Sequence, residues 1–146
     1  MVKYFVIAMI IIVAVALPRV KRRAYDLPDG AELIVESIKT TFSCEGLGRG
    51  YYADVDNECK IFHICNPITH ADGTQESEQY SFFCGNLTIF NQLSLTCNYP
   101  EDSIPCEKAK DFYYVNDNIG YEEIPFLTEE DVEKAQQVIN ENRIQR

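Results

Sequence analysis

Apolar residues fall into three regimes along the chain. The first is an unbroken apolar run of 14 residues from Tyr4 to Leu17. The second lies between Cys44 and Cys106, where apolar residues come in short β-branched and aromatic stretches. Glu58–Cys65 is bracketed by Asp56-Asn57 and Asn66-Pro67 and predicts a strand. Gln79–Cys84 predicts a second strand, with a polar loop from Thr69 to Glu78 that contains Asp72-Gly73. Thr88-Ile89-Phe90 and Leu93–Cys97, separated by Asn91-Gln92, predict a tight hairpin. No stretch in this block is long or periodic enough for a helix, so its core is a small antiparallel sheet plus a hairpin.

The third regime is the cysteine-free tail, 107–146, which is mostly acidic and loses its apolar content until Ile124-Pro125-Phe126-Leu127. Thr128-Glu129-Glu130-Asp131 then reads as a helix start. Thr128 can accept from the N–H three residues on, and the acids sit at the positive end of the helix dipole. Leu127 and Val132 occupy the positions of a hydrophobic staple. The apolar face beyond (Val132, Ala135, Val138, Ile139) is thin, which predicts a marginal helix over 129–143 without a core of its own. Ahead of the cysteine block, the lead-in over 17–43 carries a turn at Pro28-Asp29-Gly30. Its Leu33, Ile34, Val35 and Ile38 fit either one helical turn or a short strand. There is no internal repeat.

The N-terminal run is short of the roughly 20 apolar residues that span a bilayer. Lys3 before it and Ala14-Val15-Ala16 near its end predict a cleavable export signal over 1–16. Arg19, Lys21, Arg22 and Arg23, which follow, bias the other way, towards a retained anchor. Arg19-Val20-Lys21-Arg22 resembles a dibasic convertase site, and reads equally as a solvated charge cluster. A cut after Arg22 leaves nine Lys and Arg against 23 acids, a net −14. The expected product is secreted, extracellular, soluble, and no longer attached to a membrane once processed.

Charge and cysteine count narrow the function. The full chain carries −10 with six cysteines and no tryptophan. Such acidity repels phosphate backbones and excludes nucleic acid as a partner. An even cysteine count in an exported chain points to disulfides, and a block of 63 residues needs them, because it buries little apolar surface. Spacing alone leaves fifteen connectivities open. Cys59, His63, Cys65 and His70 could be imagined around zinc, but that needs thiolates, which an oxidising compartment removes. No nucleophile with a positioned acid/base partner is apparent, so neither enzyme activity, metal nor cofactor is expected.

The residues between the cysteines carry a family resemblance. Gly50-Tyr51-Tyr52-Ala53-Asp54 precedes the second cysteine, Phe62 lies between Cys59 and Cys65, Thr88-Ile89-Phe90-Asn91 lies between the fourth and fifth, and Cys97-Asn98-Tyr99-Pro100 follows. With the six-cysteine spacing, this resembles the chitin-binding type 2, or peritrophin-A, domain over 44–106. A lone module with acidic flanks is similar to the single-domain cuticular proteins analogous to peritrophins, and secreted venom proteins of centipedes look similar. The resemblance implies a small disulfide-rich β fold: a three-stranded antiparallel sheet followed by a two-stranded hairpin. It also implies the pairs Cys44–Cys65, Cys59–Cys106 and Cys84–Cys97.

The implied partner is chitin, a neutral, rigid polymer of N-acetylglucosamine, read by flat aromatic faces and a few amide or hydroxyl groups. The residues that match are Tyr51, Tyr52, Phe62, Phe90 and Tyr99, with Asn91 and Asn98 as polar partners. Phe62 and Phe90 also read as packing, and Asn91 as a turn residue. Two positions depart from the family: Leu93 stands where an antimicrobial member presents an aromatic, and Leu87 where a glycine is usual. Asn86-Leu87-Thr88 is a glycosylation sequon beside the hairpin. The expected function is a secreted, non-enzymatic chitin-binding protein of arthropod extracellular matrix or cuticle, its tail contacting other matrix proteins. The alternative is a disulfide-rich venom toxin or protein ligand without useful chitin affinity.

Overall fold

A computed structural model describes residues 25–145, so the expected signal at 1–16 and the basic run at 19–22 lie outside the described residues. The lead-in forms the helical turn: Gly30, at φ +94°, opens α1 (Ala31–Ile34), and the Val35 N–H closes onto the Ala31 carbonyl at 2.9 Å. Ala31 and Val35 are buried and Leu33 is left in solvent.

Three strands follow, β1 (Gly50–Ala53), β2 (Ile61–Thr69) and β3 (Gln75–Phe83), antiparallel in the order β1-β2-β3. Along β2 the alternation is clear: Ile61, His63 and Cys65 are buried, while Phe62 and Ile64 are half-exposed on the other face. The loop expected over Thr69–Glu78 is shorter, because Glu76, Ser77 and Glu78 join the ladder opposite Ile68, Pro67 and Asn66. Polar side chains are no obstacle on an edge strand. Only His70–Thr74 turns, with Gly73 at φ +84° and Asp72 Oδ1 accepting from the Thr74 N–H at 2.9 Å.

The second sheet pairs β4 (Ile89–Asn91) with β5 (Thr96–Asn98). Its turn is not at Asn91-Gln92: Asn91 faces Thr96 in register, and Gln92–Leu95 makes the connection. The reason lies in what the two amides do. Gln92 is buried against β1, accepting from the Ala53 N–H and donating to the Tyr51 carbonyl, both at 2.8 Å. Asn116 completes the arrangement, accepting from the Tyr51 N–H at 2.8 Å and donating to its carbonyl at 3.0 Å. Two side-chain amides thus stand where a fourth strand would pair, closing the outer edge of β1. Gly50 has no side chain because Asn116 occupies the space: a Cβ there would sit 2.4 Å from its Cγ.

Disulfides join Cys44 to Cys65, Cys59 to Cys106 and Cys84 to Cys97. One core gathers Ala53, Cys59, Cys84, Phe90 and Ala109, and another Cys44, Tyr52 and Cys65. The tail supplies the third. Cys106–Asn118 winds as a 3-10 helix that buries Ala109, Phe112 and Val115, and α2 (Glu129–Gln145) packs Ala135 and Val138 against Ile104 and Phe112. The segment expected to lose its apolar content therefore holds a core residue every third position, the period of a 3-10 helix rather than of an α-helix. Thr128 caps α2 as expected, its hydroxyl accepting from the Asp131 N–H at 3.2 Å while the Asp131 carboxylate accepts from the Thr128 N–H at 2.8 Å. Val132, the expected staple partner, is exposed.

Candidate functional site

Strand register assembles one aromatic face. Tyr51, Ile64 and Tyr80 are cross-strand neighbours in one row, and Ala53, Phe62 and Phe82 in the next, all on the same side of the sheet. The hairpin covers the second row from one end. Phe90 stacks on Phe62 (centroids 4.4 Å, 14° between planes), and Phe62 stacks on Phe82 (5.4 Å, 22°). That stack runs from a buried ring to an exposed one. The first row is left open, with Tyr51 and Tyr80 exposed, the latter at 50%. Their backbones are two strand spacings apart, about 10 Å. The Tyr80 hydroxyl donates to Glu78 Oε2 at 3.0 Å, and Asn66 Nδ2 donates to the same oxygen at 3.1 Å. One face thus presents aromatic rings bordered by an amide and a carboxylate, suited to a flat, hydroxylated ligand with apolar C–H faces.

The residues expected at the site separate into groups. Tyr51 is on this face, and Phe62 lies half-buried beneath Phe82. Tyr99 is 55% exposed but sits beyond β5, apart from the Tyr51 row in the strand register. Asn98 is half-buried and donates to Ser94 Oγ at 3.3 Å. Tyr52, Phe90 and Asn91 are buried, and each is engaged within the fold. The Tyr52 hydroxyl donates to the Gly48 carbonyl at 3.0 Å, and burial followed by the charge of Asp117 pushes its pKa up. Phe90 is core at 2% exposure. Asn91 Oδ1 accepts from the N–H groups of Leu93 and Ile104 at 3.2 and 3.3 Å, holding the hairpin to the following loop. Asn86 is exposed on the turn before β4, where Leu87 takes φ +66° in place of the usual glycine.

Tyr80 and Phe82 are the residues that reading the sequence missed. Gln79–Cys84 was legible as a strand, and its alternation already puts Tyr80 and Phe82 on one face and Ser81 and Phe83 on the other.

The opposite face holds a buried polar network. His63 Nε2 donates to Asp54 Oδ2 at 2.9 Å, and Nδ1 meets the Ser81 hydroxyl at 2.9 Å. Asp54 also accepts from the Tyr25 hydroxyl at 3.0 Å and from Asn57 Nδ2 at 2.7 Å. Burial pushes the Asp54 carboxyl up, but the donors His63, Asn57 and Tyr25 outweigh it and hold it below the usual carboxylate range. Serine, histidine and aspartate in series have the composition of a nucleophile relay. Here they are 5%, 0% and 1% exposed, and the lead-in roofs them: Phe42 stacks on the imidazole at 4.1 Å and Tyr25 meets it edge-on at 5.0 Å. The network ties the lead-in to the sheet. Cys59 and Cys65, the thiols that a zinc site beside His63 would need, are both in disulfides.

Comparison with known proteins matches residues 44–106 to the chitin binding Peritrophin-A domain. The chain is similar to U-scoloptoxin(01)-Cw1a of Cormocephalus westwoodi, 39% identical over 71 residues, which cover 49% of this chain and 53% of that relative. It is also similar to U-scoloptoxin(01)-Er1a of Ethmostigmus rubripes, 29% identical over 113 residues, 77% of this chain and 87% of the relative. The chain thus spans about half the length of the first relative. No solved structure matches it.

Proposed function

We propose, from a cysteine block that belongs to the chitin binding Peritrophin-A domain family, that the chain is a secreted, non-catalytic chitin-binding protein. The observation that carries this is the open row of Tyr51, Ile64 and Tyr80 beside Phe82. Tyr51, Tyr80 and Phe82 offer ring faces to the sugars, Phe62 backs Phe82, and Asn66 lies within reach of an N-acetyl arm. Tyr99, with Asn98 beside it, is a second contact for a chain long enough to cross the hairpin. Chitin is uncharged, so the protein's net −10 brings no penalty to binding. An oxidising, extracellular setting fits three disulfides, and an exposed Asn86 fits glycan attachment there. One small module binds weakly, so retention on a fibre comes from many molecules or many sites.

The test is retention of the refolded full chain on chitin beads, against cellulose as control. Tyr51→Ala and Tyr80→Ala should each weaken binding about 5- to 10-fold, from roughly 1–1.4 kcal/mol per lost ring contact. No retention above cellulose, or variants that bind like the wild type, would overturn the reading.

A second reading, a venom component directed at a protein, is favoured by the scoloptoxin names of the relatives. It uses the same face, because exposed tyrosines anchor protein contacts as readily as sugars. In that case the chain ignores chitin, and Tyr80→Ala lowers its toxic effect.

A further inference from the structure

Tyrosine chemistry elsewhere on the surface has no part in this site. Most of the described phenols are engaged: Tyr25 donates to Asp54, Tyr52 to Gly48, Tyr80 to Glu78, Tyr113 to Ala53 and Tyr114 to Asp131. Tyr121 differs. At 62% it is the most exposed described tyrosine. It lies on an exposed loop between the 3-10 helix and α2, outside any helix or strand, and Asn118 Nδ2 closes the base of that loop onto the Phe126 carbonyl at 3.1 Å. Gly120, at φ +88°, turns the chain immediately before it. Glu122 and Glu123 follow directly, Asp117 precedes, and no Lys or Arg lies between Asp111 and Lys134.

We infer that Tyr121 is a site of tyrosine O-sulfation, resting on the proposal that the chain passes through the secretory pathway. A transferase that handles an anionic sulfate donor needs a cationic cleft, and it therefore selects phenols flanked by carboxylates and free of cations. It also needs several residues on either side of the phenol to lie extended in that cleft, which a loop permits and a strand does not. Tyr80 has acids nearby but is held in β3, and Tyr99 is followed at once by the Pro100–Asp102 turn. In the reaction the Tyr121 oxygen attacks sulfur of an adenosine phosphosulfate. The new O–S bond forms as the bond from sulfur to the phosphate oxygen breaks. The phenolic proton passes to a base of the transferase, and the nucleotide phosphate departs. The product carries a fixed negative charge and sulfate oxygens beside Glu122 and Glu123, a strong acceptor cluster for an Arg- or Lys-rich partner.

The experiment expresses the full chain in insect cells fed radioactive sulfate and recovers it from the medium after N-glycan removal. Recovery in the medium reports export and the label reports sulfation, so the two readings fail separately. The expected result is a labelled chain, one SO3 heavier by mass and resistant to phosphatase, with the label lost in Tyr121→Phe and kept in Tyr99→Phe. An unlabelled chain in the medium, or a label that survives Tyr121→Phe, would overturn the assignment.

Discussion

Asp54 shows how much one side chain organises. It accepts from an imidazole, a phenol and an amide, and through them holds β1, β2 and the lead-in together. Its carboxyl is held below the ordinary value, so the unfolded chain binds the proton more readily than the folded one. The contribution is complete above the unfolded pKa, about 3.9, and is lost as pH falls through the lower folded value. Asp131, Glu58 and Asp72 are lowered too, so acid sensitivity as such is not diagnostic. Asp72, for one, is held down by the Thr74 hydroxyl and N–H, on the turn between β2 and β3 and outside this network. The informative measurement is a difference: the melting temperature of the wild type minus that of Asp54→Asn, followed from pH 7 to pH 2. That gap should be about constant above pH 5 and close progressively below about pH 4. A gap that stays level across the range would show that the carboxylate charge contributes nothing to the latch.

At the scale of elements, the cysteine block does not stand alone. Tyr25 and Phe42 of the lead-in cover His63, and the 3-10 helix and α2 build a core on Ile104 and Phe112. Phe112 is the joint, fully buried and with Lys134 Nζ 4.6 Å above its ring. Phe112→Ala should cost about 3–5 kcal/mol and release α2, read as loss of amide-exchange protection over 129–145 while β2 and β3 stay protected. Protection lost evenly across the chain would mean that the tail and the sheet unfold as one unit. Much of the architecture was legible. Strand composition located β2, β3 and the hairpin, and the Thr128 cap located α2. The tail's packing was missed because Ala109, Phe112 and Val115 repeat at three, a period that a search for α-helix passes over. The hairpin turn was misplaced because Asn91 and Gln92 have turn chemistry locally, whereas their amides are used against distant backbone, which no local pattern records. The site was half legible for a similar reason: a motif names aromatic residues, but strand register decides which of them face solvent.

For the whole molecule, the cross-links differ in what they constrain. Cys84–Cys97 closes the hairpin across a separation of 13 residues, Cys44–Cys65 spans 21, and Cys59–Cys106 spans 47, binding the start of β2 to the 3-10 helix. If the links act mainly by restricting the unfolded chain, the longest loop should matter most, by about 1 kcal/mol over the shortest. Packing acts in the same direction. Cys59, Cys84 and Cys106 all contribute to the core around Phe90 and Ala109, but only the Cys59–Cys106 link joins the sheet to the tail that completes the third core. Replacing Cys59 and Cys106 together by Ala should therefore lower the denaturant midpoint more than replacing Cys84 and Cys97. The hairpin variant should also keep α2 docked, whereas the Cys59/Cys106 variant should not. Equal midpoints for the two would mean that neither the length of the closed loop nor the packing of the tail ranks the two links, and that the flanks hold their places without the covalent tie.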